Sequence, residues 1–255
     1  MTHAPDPVTG FVVLVFGAPA AALFLAAAIL LFAVGVIIRS HLKAHGPLMA
    51  ALRDRWNLLT ELGGRSRAQA FFEAFSKIDL RFSSLSGDDS VPAALLLGWA
   101  NYRSLLVDSE NGHFITSIRA AEAFDRLDEP ARALEWWANI LVAIGLMITF
   151  LGIVAALSQA TSSISAGAAQ AQTQTALMGL LAIAATKFWT SIAGVLASIV
   201  LRIVARFRRR AIERAEADLF VALDSCVGFM PPEKVSLEQL KSLHRLEQAV
   251  LPMGH

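Results

Sequence analysis

Residues 136–186 contain no Asp, Glu, Lys or Arg, and after Lys187 the chain is uncharged again until Arg202. A helix needs roughly 20 apolar residues to cross a hydrocarbon core about 30 Å thick. Two membrane-length segments fit here, 136–158 and 176–201, and a third uncharged segment, 11–38, stands near the N-terminus. With 55% hydrophobic residues and a mean hydropathy of +0.55, the chain reads as an all-α integral membrane protein. It is expected to have three transmembrane helices and long cytoplasmic helical extensions.

Segment 11–38 has neither a basic start nor the short apolar core, about 7–15 residues, of a cleavable signal peptide. It is expected to remain in the mature protein, with Pro19 placing a kink in its first third. Basic residues flank the spans on one side only. Arg39, His41, Lys43 and His45 follow the first, and Arg202, Arg206, Arg208, Arg209 and Arg210 follow the last. The connection 159–175 carries no charge. Lys and Arg accumulate on the cytoplasmic side. The expected topology is therefore residues 1–10 periplasmic, 39–135 cytoplasmic, 159–175 a periplasmic loop and 202–255 a cytoplasmic tail, in a bacterial inner membrane.

Segment 40–135 is too charged for lipid. Its apolar residues recur at helical spacing: Leu48, Leu52, Leu59 and Leu62; Phe71, Phe72 and Phe75; Leu95, Leu96, Trp99, Tyr102 and Leu106. That predicts several amphipathic helices. Breaks are expected at Gly63–Gly64, Ser83–Ser90 and Asn111–Gly112, with no convincing strand. Beyond the last span, helical periodicity continues through Phe220 and Leu223 and ends at Gly228 and Pro231–Pro232. A short closing helix over Val235–Val250 carries Leu237, Leu240, Leu243 and Leu246 on one side. The basic run at 202–214 serves as a topological anchor or touches anionic lipid. Cys226, the only cysteine, has no intrachain partner.

The second and third spans share a design. Gly145, Thr149, Gly152 and Ala156 fall on one face of the second, and Lys187, Thr190, Ser191, Gly194 and Ser198 on one face of the third. Small residues let helices approach closely where lipid supplies no hydrophobic drive. Helix packing alone explains Gly145, Gly152, Gly194 and Ser198. The hydroxyls either bond back to their own helix or line a polar path. Lys187 lies near mid-span, where a charge costs about 2.5–3.5 kcal/mol on insertion scales. No span contains an acid to pair with it. It faces a cavity or a partner, snorkels to the headgroups, or makes a structural hydrogen bond.

Gly145-Leu146-Met147-Ile148-Thr149-Phe150-Leu151-Gly152-Ile153 resembles the G-L-x-G-T-x-x-G-I signature of the MotA/TolQ/ExbB proton-channel family, with Ile148 where that family usually has Gly. The stretch 188–199, FWTSIAGVLASI, is similar to the family's L-x-A-T-A-x-G-L-x-A-A-I, Ser191 replacing Thr. Val200 stands where a proline commonly follows. The wording TKFWTSIAG also resembles the motor subunit of the Zorya anti-phage defence branch, although the tail here is short. The resemblance covers residues 136–210 and, in architecture, the three-span TolQ/ExbB layout. It implies a stator-type subunit that conducts protons or sodium ions. Its expected setting is a homopentamer around a dimer of a single-span ExbD/TolR/MotB-like partner carrying an essential Asp. It also implies that Thr149 and Ser191, with Thr190 beside it, line the pathway, and that Lys187 pairs with that Asp or tunes conduction.

A membrane-tethered structural or signalling module is the alternative. The six histidines form no HExxH-type set, and there is no GxSxG or phosphate-binding glycine loop. The sequence therefore predicts no enzyme and no cofactor. No nucleic-acid partner is expected, and the net charge of +1 says little about partners, because nearly all charged residues lie in 39–135 and 202–247.

Overall fold

The computed structural model describes residues 19–62, 66–83, 92–109, 112–124, 126–165, 170–231 and most of 233–245. Side chains at 19–21, 156, 159–177 and 179–187 are outside that description. The breaks expected at Gly63–Gly64 and within 84–90, residues 1–18 and Leu246 also lie outside the described residues.

The elements in order are α1 (Pro19–Ser40), a π-helical turn (His41–His45), α2 (Gly46–Thr60), α3 (Arg67–Glu73), α4 (Phe75–Ser83) and α5 (Ala93–Ser104). There follow β1 (Val107–Ser109), β2 (His113–Thr116), α6 (Ala120–Ala123), α7 (Glu129–Ser165), α8 (Gln170–Cys226) and β3 (Gly228–Phe229). Among the described residues three helices are long and apolar enough to cross a membrane. The fold is that of an all-α, multi-pass membrane protein.

The helices overrun the expected spans. α7 continues through Ser165 into the stretch read as a loop, and α8 begins at Gln170. Neither Gly nor Pro occurs between 153 and 165, so nothing there breaks the helix. The π-helical turn has a local cause. Pro47 offers no N–H to the carbonyl of Lys43 and its ring crowds that carbonyl, so the turn before it widens.

The chain divides into two compact units, Met1–His41 with Pro130–Arg208, and Leu42–Glu129 with Arg209–His255. In the first, Ile29 and Ala33 of α1 pack with Ala138 and Leu141 of α7 and Ala197 and Leu201 of α8. Three of these six are alanines, which brings the backbones together. Phe32 meets Trp137 edge-on at 5.3 Å between ring centroids. Arg208 is buried and ties α8 to the end of α1, donating to Ser40 Oγ (2.9 Å) and the Ile37 carbonyl (3.0 Å).

The second unit has its own core. Leu48, Leu52 and Leu59 of α2 join Phe71, Ile78, Phe82, Leu95, Trp99 and Tyr102, together with Ile212, Leu219 and Leu223 of α8. The buried Trp99 ring keeps its polar end satisfied by donating Nε1 to Asp79 (3.0 Å). Arg55 is buried too. Its guanidinium donates to the carbonyls of Ala51 (3.2 Å) and Phe82 (3.0 Å) and lies 5.5 Å from the Phe82 ring centroid. Burial lowers its pKa to about 10, against the opposing field of Asp54.

A small sheet corrects the expectation of no strands. β1 pairs antiparallel with β2 (Val107 opposite Ile115), and β2 pairs parallel with β3 (Ile115 opposite Gly228). Gly112 turns the hairpin at φ +71°, and its N–H donates to the Ser109 carbonyl (3.0 Å). Strands of two to four residues are too short for an alternating pattern to register.

Glu216 carries a pH dependence. One of its carboxylate oxygens, Oε1, is buried without a hydrogen bond. Burial pushes its pKa up to about 7; a backbone hydrogen bond at Leu127 opposes that, and Asp128 and Glu213 add to it. A carboxyl with a raised folded-state pKa favours the fold below its unfolded value and loses that contribution as pH rises through the folded one. Stability should therefore fall between about pH 4.5 and 7. Glu216→Gln is expected to raise the unfolding midpoint in detergent at pH 8, by about 1 kcal/mol after allowance for solvent screening. At pH 4 it should change little. An equal shift at both pH values would refute the ionisation argument.

Candidate functional site

α7 and α8 cross where both lack side chains. A Cβ built on Gly145 would lie 3.1 Å from Gly194 Cα and 3.2 Å from the Thr190 carbonyl oxygen. One built on Gly194 would lie 2.9 Å from the Leu141 carbonyl oxygen and 3.0 Å from Gly145 Cα. All of these neighbours are backbone, so neither side can give way by turning a rotamer. The two glycines are the closest approach that the packing requires.

One turn further along α7, Thr149 is 5% exposed, and Thr190 of α8 is fully buried. Their hydroxyl oxygens are 3.3 Å apart. Thr149 donates its own proton to the Gly145 carbonyl (2.8 Å), the back-bond open to a hydroxyl four residues along a helix. In the contact between the two hydroxyls either oxygen can be the donor. The result is a short polar chain, Thr190 to Thr149 to the Gly145 carbonyl, inside an apolar helix pair.

The remaining candidates fall around this contact. Gly152 is buried seven residues beyond Gly145. Ser191 is half-buried, about 100° around α8 from Thr190, so the structure brings Thr190 rather than Ser191 against Thr149. Ser198 is buried two turns on, and its Oγ accepts from Arg202 Nε (3.4 Å). Lys187 belongs to α8, and its side chain lies outside the described residues, as does that of Ala156.

Sequence reasoning passed over Asn139. Its Oδ1 accepts from Arg202 Nη2 at 2.7 Å, joining α7 to α8 at the end of the uncharged run. The available signal was a lone amide in an otherwise apolar segment, where a polar group needs a partner. Among the described residues no group of three His, Cys, Asp or Glu side chains could hold a metal.

The arrangement can pass a hydrogen bond between two helices and can hold them at a fixed distance. It contains no nucleophile–base pair. Compared with models of protein families the chain matches none, and no curated protein matches it either.

Proposed function

We propose that the chain is the multi-pass subunit of an inner-membrane ion channel of stator type. In this reading it converts proton or sodium flow into mechanical work together with a single-span partner that brings a membrane-embedded Asp. The observation that carries it is the hydroxyl pair Thr149–Thr190, 3.3 Å apart and buried at a glycine–glycine crossing. The resemblance of 145–153 and 188–199 to the MotA/TolQ/ExbB pattern supports it independently. The spans contain no Asp or Glu of their own, so the acid must come from another chain. By the same resemblance five copies surround two partners. The basic residues after the first and last spans put the N-terminus in the periplasm and the C-terminus in the cytoplasm.

The test is ion flux. The chain is reconstituted with its copurifying partner, and flux is compared with that of Thr149→Val/Thr190→Val, which keeps side-chain volume and removes both hydroxyls. Ion flux is expected to drop at least about tenfold, close to 1.4 kcal/mol of barrier, with assembly unchanged by mass.

A second reading has an observation of its own. Both hydroxyls are buried within one chain. As a pure helix clamp they would belong to a membrane-tethered structural or signalling module that conducts nothing. Undiminished flux in the double variant, or no flux from the unaltered protein, decides for that module.

A further inference from the structure

Within the second unit, the connection that leads from β2 to α7 is laid along one face of α8. Near its start, Ala120 donates its N–H to Asp224 Oδ1 (2.9 Å). Phe124 packs on Phe220 at 5.1 Å between ring centroids. The Leu127 N–H donates to the Glu216 carboxylate. Asp128 ends the series in an ion pair with Arg209 Nη2 (3.2 Å). The partners on α8 fall at 224, 220, 216 and 209, steps of four, four and seven that keep them on one side of the helix. Ala120, Ala123, Phe124 and Leu127 are buried in the same core as Leu219 and Leu223. The connection has only the four-residue α6 as regular structure, so its grip on α8 is what holds it in place.

Glu216 is the rung at odds with its surroundings. Its Oε1 is buried without a hydrogen bond. The charges that act on it are Asp128 of the connection and Glu213, three positions earlier on α8, and both are negative. Arg209, two turns earlier on the same face, is engaged by Asp128. Arg214 and Asp218, two positions to either side, are turned about 160° away around the helix. Glu122, Arg126 and Glu129 of the connection are exposed, and Asp125 lies outside the described residues. When ionised, Glu216 therefore sets one more negative charge beside two others, with one oxygen shut off from water. A proton on it removes that charge and leaves the apolar contacts intact. Burial, then these two acids, push its pKa up to about 7.

We propose that the connection is a proton-operated latch on α8, gripping through Ala120, Phe124, Leu127 and Asp128, closed while the Glu216 carboxyl holds its proton and loosened when the proton leaves to water. Glu216 lies fifteen positions past Leu201, about 22 Å of rise beyond the end of the uncharged run, where water meets the opened carboxyl. Opening hydrates that carboxyl and returns it toward its ordinary proton affinity, so ionisation favours the open form. The grip is complete in acid and weakens as pH rises through about 7. Because Glu129 begins α7, the latch ties the footing of the second span to the pH on the side of the membrane that holds the second unit. It stands apart from ion conduction and needs no second copy.

The experiment is hydrogen–deuterium exchange on the full chain in detergent, comparing the unaltered protein with Glu216→Gln at the same pH. Matching the pH cancels the intrinsic pH dependence of exchange. At pH 8 the amides of the connection are expected to exchange at least about fivefold faster in the unaltered protein, and at pH 5 within about twofold. The amides of α5, in the same unit, should stay within about twofold at both pH values. A ratio for the connection that is the same at pH 5 and pH 8 overturns the proposal. So does an α5 that speeds up in step with the connection, since the whole unit would then be opening and no latch would be involved.

Discussion

Gly194→Val is expected to cost about 3 kcal/mol or more and to remove the monodisperse, folded species from detergent extracts. A side-chain carbon there would meet the Leu141 carbonyl oxygen at 2.9 Å and Gly145 Cα at 3.0 Å. Both are backbone, and α7 can avoid them only by moving away as a rod. Overpacking usually costs 1–3 kcal/mol where side chains can shift. Here they cannot, and valine adds two further methyls. In lipid, helix association depends on this packing rather than on hydrophobic burial. The Thr149–Thr190 contact, already 3.3 Å, would open beyond hydrogen-bond range as the helices part. Gly194→Ala should fall between wild type and Gly194→Val. Val195→Leu, at a side chain 45% exposed, should be silent. Size-exclusion profile and thermal midpoint check the series. A Gly194→Val protein that elutes and melts like the wild type would show that the two glycines do not set the helix distance.

The spans were legible because their signal is long. An uncharged run of more than 40 residues has few physical solutions, and a helix is the one that satisfies every backbone group within its own segment. The small-residue stripes were legible for a related reason. Gly145, Thr149, Gly152, Gly194 and Ser198 are all buried, as a shared face at i, i+4 and i+7 requires. Choosing between Thr190 and Ser191 was different. The two adjacent hydroxyls differ by about 100° of rotation. Aligning the segment to a motif fixes its register but does not tell which of the two meets the facing helix. That depends on the crossing point, which Gly145 and Gly194 set together from sites 49 residues apart in sequence.

The second unit was readable by period and unreadable by contact. Leu48, Leu52, Leu59, Phe71, Leu95, Trp99 and Tyr102 came from helical spacing, and all are buried. Nothing local in the sequence announces that the buried Arg55 guanidinium meets the Phe82 carbonyl 27 residues away. The strands were missed because β3 has two residues and is held through the hydrogen bond from Met230 N–H to the Thr116 carbonyl (2.9 Å). Such a pairing is decided by the tertiary fold, which local propensity does not encode.

Gly98 of α5 carries the other large expectation, in the second unit. The Phe124 ring lies against the α5 backbone where a side chain at 98 would begin, with ring atoms 2.7 and 2.8 Å from a built Cβ. The ring is rigid and cannot swing freely, since Phe124 is 8% exposed and packs on Phe220 at 5.1 Å between centroids. Gly98→Ala gains helix propensity of about 1 kcal/mol over glycine. Forcing the ring out of its seat outweighs that, and the net expectation is a loss of about 2 kcal/mol. The decisive measurement is a double-mutant cycle with Phe124→Leu, which removes the stiff ring and keeps an apolar side chain. Alone, Phe124→Leu should destabilise through the space it leaves. Combined with Gly98→Ala, the added methyl fills part of that space, so the pair should be more stable than the sum of the singles by about 1 kcal/mol or more. Simple additivity would mean that the ring and the glycine do not share a seat. The assignment of α6 and the Phe124 that follows it to the α5 surface would then be wrong.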